Sequence, residues 1–207
     1  GGKTFKAEWS QWQPPSPVKI YVSAGGPKTV KMAAQVADGI IMSLDFGATA
    51  ENVRYCHELV REGARDAGRD PALIELNWML PVALAESREV AMDLYGTIGT
   101  HLVARATMDG RQIPEEYKPK LKRIYDEWQL ATHGRANPRV AALAKELGVL
   151  EFLVERAGGM FGTPEDVRQA LVQLQDRGIE HLTMHLRGED KGAVMKVLEA
   201  EVLSHFS

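Results

Sequence analysis

The residues best placed for chemistry in this chain are Ser23-Ala24-Gly25-Gly26, directly ahead of Pro27. A bare glycine turn where a strand ends and a helix begins leaves backbone N–H groups open, and the helix dipole favours an anion there. The chemistry expected is anion binding by main-chain amides. His181, Thr183 and His185 alternate along a second apolar run and so share one face of a strand. His185, near the C-terminal end of that strand, reads either as a ligand contact or as a hydrogen-bonded residue filling an interior layer. Ser43 and Asp45 end another strand pattern on a common side, either touching substrate or simply opening a loop with Gly47. Trp78 reads as core packing or as a wall against a bound ring. His101 and Arg105 stand one helical turn apart with no third ligand, so no metal site is expected. There is no nucleophile elbow, no Walker loop and no full G-x-G-x-x-G spacing.

The elements that must position these residues follow from hydrophobic periodicity. Val18 to Ser23 is a short β-branched run expected to be a buried strand. Pro27 opens a helix whose apolar stripe is Val30, Ala33, Ala34 and Ala37, with Gly39 suited to the left-handed residue after its last turn. Ile40 to Leu44 is the next strand. A unit this compact requires parallel pairing. Ala48 to Gly68 predicts a second amphipathic helix, capped by Thr49, with Val53, Cys56, His57, Val60 and Ala64 on one stripe. Ile74 to Leu84 is a long strand expected to break or bend at Pro81. Ser87 caps a further helix.

Residues 94–160 carry helical patterns over Leu121–Leu130, Val140–Leu147 and Leu150–Ala157, with a short extended piece at Gly158–Gly162. This stretch is expected to be a helical insertion within a single domain spanning 1–207. Thr163, Pro164 and Asp166 announce the next helix, which Gly178 ends. Ile179 to Leu186 is the last strand, and Lys191 to Phe206 the closing helix. Four strands near 18–23, 39–44, 75–84 and 180–186 give an α/β class of parallel βα units. Such a set fits half of an eight-stranded barrel or a small open sheet. The lead-in before Pro17 is irregular, with Trp9 and Trp12 free to pack on the sheet.

Composition narrows the function. The 207 residues carry a net charge of −3, so there is no basic footprint for nucleic acid. The lysines and arginine at 118–123 are balanced by Glu115, Glu116, Asp126 and Glu127 and read as a solvated helix face. A single cysteine, Cys56, excludes an intrachain disulfide and fits a reducing compartment. With no apolar run of membrane-spanning length and no secretory leader pattern, the expectation is a soluble cytoplasmic protein.

Two stretches, YVSAGGPKTVKMAAQVADGIIMS and FGTPEDVRQALVQLQDRGIEHLTM, resemble the C-terminal half of the bacterial luciferase-like monooxygenase superfamily. That superfamily comprises flavin-dependent monooxygenases and F420-dependent reductases and dehydrogenases built as TIM barrels. The resemblance implies that these are strands five to eight of the barrel with their helices. It also implies that Ser23, Ala24, Gly25 and Gly26 hold a cofactor phosphate through backbone amides, and that Thr29 adds its hydroxyl. The Ala24-Gly25-Gly26-Pro27 form is closer to the F420-dependent members, so F420 is preferred over FMN. From their strand positions Ser43, Asp45, Trp78 and His185 stand as the candidate substrate-pocket residues, and no catalytic residue is assigned. The first four strands of the family have no counterpart here. The chain therefore reads as a fragment, or as one half of a barrel completed by a second copy or another chain. Two other readings stay open: a non-catalytic half-barrel serving assembly, and a TIM-barrel enzyme acting on a phosphate ester.

Overall fold

In the computed structural model, which describes residues 18–42, 47–96, 113–127, 137–188 and 190–206, strand β3 (Glu75–Leu84) is the spine of one parallel sheet. The sheet is reached in chain order from β1 (Tyr21–Ala24) through helix α1 (Pro27–Val36) to β2 (Gly39–Met42) and helix α2 (Ala50–Asp66). After β3 come helix α3, covering 88–96, and helices α4 (Lys118–Asp126), α5 (Pro138–Glu146) and α6 (Leu150–Arg156). Strand β4 (Met160–Gly162), helix α7 (Pro164–Asp176), β5 (His181–Arg187) and helix α8 (Lys191–Val197) close the order. β5 pairs with β3 from Asn77 to Ala83, while β2 pairs with residues 75–78 of β3 and β4 with residues 82–84. A strand has only two edges, so β2 and β4 share the one that β5 leaves free.

Strands β1, β2, β3 and β5 thus lie side by side in one direction, as half of a (β/α)8 barrel would. Their helix-facing residues form the main core. Val30, Ala33 and Ala34 of α1 and Val53, Cys56, Leu59 and Val60 of α2 pack with Ile40, Met42, Leu76, Trp78, Leu80 and Val82. Leu59, rather than His57, completes the α2 stripe; His57 stays part-exposed. A second cluster gathers Leu121 and Ile124 of α4, Val140 and Leu143 of α5, and Val149, Leu153 and Val154 at α6 around Tyr95, Ala83 and Phe161.

Several local signals act as their chemistry dictates. Pro27 sits in the first turn of α1, Thr49 accepts from the Asn52 N–H, and Ser87 accepts from Val90. Thr163 and Asp166 form a reciprocal capping box, and Gly178 adopts φ 89° after α7.

Other expectations are corrected. Val18 and Ile20 are not in a buried strand; they are 67% and 63% exposed and precede β1, which begins only at Tyr21. Gly39 is not a helix terminator. Helix α1 ends on Ala37 in extended conformation, and Gly39 is the first residue of β2, lying where the Tyr21 ring fills the space a Cβ would need. Pro81 does not interrupt β3. It falls between the end of β2 pairing and the start of β4 pairing, where a missing N–H is tolerated. The extended piece near Phe161 is a paired strand, β4, so the described sheet has five strands rather than four. Among the described residues no helix is long and apolar enough to cross a membrane.

Candidate functional site

The turn between β1 and α1 is bare, as its residue types require. Gly26 is the N-cap of α1 in extended conformation (φ −150°, ψ 159°), with no side-chain capping bond and no acidic residue in the first helical turn. A Cβ at Gly26 would meet nothing within 4 Å, so the approach to the turn is open. Helices usually satisfy their leading N–H groups with a Ser, Thr, Asp or Asn side chain, as α2 and α7 do here. Helix α1 lacks that partner, which suits an anion as the missing acceptor.

Around the turn the alternation of strand residues decides what is presented. Ala24 is fully buried and in register with Met42, on the helix-covered side. Ser23 is exposed and lies on the opposite side, in the row Ser23, Ile41, Asn77, His181. Thr29 stands at the third helical position, part-exposed.

The same open face carries Thr183 and His185, both exposed, above His181 on β5. Thr183 donates to the Asn77 side-chain oxygen at 2.8 Å. His185 is held below the usual imidazole range, first by partial burial and then by the cations Arg187 and Lys191. At the foot of this face Glu75 accepts from Lys19 and from the Tyr21 hydroxyl, and both contacts draw its carboxyl below the ordinary value.

Trp78 is placed differently from the ring-wall reading. It is 1% exposed within the helix-side core, on the far side of the sheet from His185, and alternation in β3 leaves it no route to the open face. Of its two readings the structure supports packing. Ser43, Asp45, Trp9, Trp12, His101, Arg105 and His133 lie outside the described residues. The basic cluster near the start of α4 is spent on surface ion pairs, Lys118 with Glu115 and Lys122 with Asp126.

Sequence reading missed three polar side chains at the C-terminal end of the sheet. Arg187, Arg156 and Tyr95 are all buried, and each has side-chain nitrogen or oxygen atoms with no hydrogen-bond partner among the described residues. The signal for Arg187 was available, since it extends the alternating series His181, Thr183, His185.

Comparison with known proteins agrees with this architecture. A family model described as luciferase-like monooxygenase matches residues 1–181. A curated F420-dependent glucose-6-phosphate dehydrogenase from Kineococcus radiotolerans is 25% identical over 191 residues, 92% of this chain and 49% of that protein. The chain thus spans about half the length of the curated relatives it matches. The solved coenzyme F420 dependent tetrahydromethanopterin reductase of Methanopyrus kandleri superposes with a TM-score of 0.64 at 18% identity, over 92% of this chain and 51% of that one. An F420-dependent secondary alcohol dehydrogenase solved with an F420-acetone adduct gives 0.60 at 15% identity, over 92% and 49%. At these identities the superpositions establish the fold: a parallel α/β assembly matching half of a TIM barrel.

Proposed function

This chain belongs to the luciferase-like monooxygenase family, and from that premise we propose that it serves an F420-dependent oxidoreductase, its β1–α1 turn holding the cofactor phosphate. The observation that carries the reading is the uncapped, acid-free N-terminus of α1, entered through Ser23-Ala24-Gly25-Gly26 with open space at Gly26. The names of the curated relatives favour F420, and FMN is the alternative that the same turn would accept. When bound, such a cofactor supplies hydride or oxygen chemistry from its ring.

The residues of this chain do the holding. Main-chain N–H groups at the turn donate to phosphate oxygens, and the α1 dipole adds its partial positive charge. Ser23 and Thr29 flank the turn with hydroxyls. His185, whose surroundings favour the neutral imidazole, faces the same open side as Ser23, where substrate would be sought, and Ser43 and Asp45 are further candidates for substrate contact. The open face and the outer edges of β1 and β5 require cover, which we assign to further barrel strands, from flanking sequence or from a second copy.

Titrating the purified protein with F420, followed by its visible absorbance, tests the proposal. Replacing Gly25 with Val places a side chain on the turn and is expected to weaken binding by about tenfold or more. Unchanged affinity in a folded Gly25→Val protein would overturn it.

A further inference from the structure

Arg187 is the last residue of β5 and stands at the C-terminal end of the sheet. Alternation puts its side chain on the same face as His181, Thr183 and His185. It is only 6% exposed, and its Nε has no hydrogen-bond partner among the described residues. No carboxylate of the described residues forms an ion pair with it. Its guanidinium lies over the Tyr95 ring, 5.6 Å from the centroid, and its Nη2 is 3.5 Å from His185 Nδ1.

These contacts do not neutralise the charge. A guanidinium removed from water is strongly disfavoured without an anion beside it, and an aromatic face offsets only part of that cost. Guanidinium nitrogens only donate, so His185 Nδ1 meets Arg187 as an acceptor and the ring proton resides on Nε2. The Tyr95 hydroxyl is itself buried without a partner among the described residues, and burial raises it far above the usual phenol range. Arg187 Nε–H and Tyr95 O–H are therefore buried donors with no acceptor among the described residues, and His185, in contact with Arg187, offers its Nε2–H beside them.

We infer that Arg187, flanked by Tyr95 and His185, receives the carboxylate or phosphate of a small-molecule ligand at the C-terminal end of β5. Both anions fit, because each presents paired oxygens to the guanidinium fork. The inference stands apart from the β1–α1 turn and holds whether or not that turn binds a cofactor.

The test is an NMR titration of ring-labelled histidines in the purified protein, with inorganic phosphate in one arm and acetate in the other. His185 reports locally, and repeating both arms in Gly25→Val removes any contribution of the turn. The expected result is a saturable shift of the His185 ring signals in at least one arm, which tells which anion is preferred. Affinity should fall by about tenfold or more in Arg187→Gln and by less in Arg187→Lys, which keeps the charge without the planar fork. Should Arg187→Gln fail to fold, Tyr95→Phe decides by the same measurement, since loss of one donor must weaken the shift several-fold. A flat titration in both arms, or an unchanged one in Arg187→Gln or Tyr95→Phe, would leave Arg187 as a clamp between β5 and Tyr95 and overturn the inference.

Discussion

The Thr183 hydroxyl donates to the Asn77 side-chain oxygen at 2.8 Å, joining β5 to β3 across the open face of the sheet. Both residues are polar where a buried strand pair would carry aliphatics, and they are neighbours only because β5 is registered on β3 with Met79 opposite Thr183. A double-mutant cycle of Thr183→Val and Asn77→Ala should give a coupling of about 0.5–1 kcal/mol in urea unfolding, the usual net worth of a single neutral hydrogen bond. Additive effects would show that the two side chains do not hold each other in solution.

Gly63 offers a case where two effects oppose each other. An alanine in the interior of α2 would ordinarily gain about 0.5–1 kcal/mol of helix propensity. Here the added Cβ would clash with the Lys31 backbone carbonyl and come within 2.9 Å of Lys31 Cα, where α1 crosses α2. Backbone cannot step aside as a side chain can, and overpacking costs about 1–3 kcal/mol. Gly63→Ala should therefore lower stability, measured as a reduced midpoint in urea; a raised midpoint would mean that the two helices are not in contact at this point.

The capping box of α7 makes a pH prediction. Thr163 donates to Asp166 Oδ2 from its backbone nitrogen at 2.8 Å and from its hydroxyl at 2.7 Å. These bonds hold the Asp166 carboxyl below its ordinary value of 3.8. A carboxyl depressed in the folded state adds stability that is complete above its unfolded value and is lost as pH falls through its folded value. Thr163→Ala should cost about 1 kcal/mol at neutral pH, and less in acid below that window. A loss of the same size at every pH would detach the cap from the Asp166 charge.

What the sequence made legible is whatever depends on neighbours along the chain. The turn Gly25–Gly26, Pro27 at the start of α1, and the caps Thr49, Ser87 and Thr163 are local chemistry, and each is found where the residue types put it. What it hid depends on neighbours across the sheet. Gly39 resembles a helix stop, yet it is small because the Tyr21 ring of the adjoining strand lies against it. Trp78 could face either side until its register with Met42 and Leu182 fixed it toward the helices. The three residues of β4 are too short for any periodicity to show. Arg187 lies under the Tyr95 ring that α3 brings over the end of β5, a contact that joins residues distant in sequence.

Among the described residues, helices α4, α5 and α6 pack with one another and with α3 in a cluster that meets the sheet through Ala83 of β3 and Phe161 of β4. A layer that supplies its own interior can be rebuilt without disturbing the strands beneath it. Changes in that layer are thus expected to alter the cover over the C-terminal ends of the strands, and with it the shape of what is admitted, while leaving the turn ahead of α1 in place.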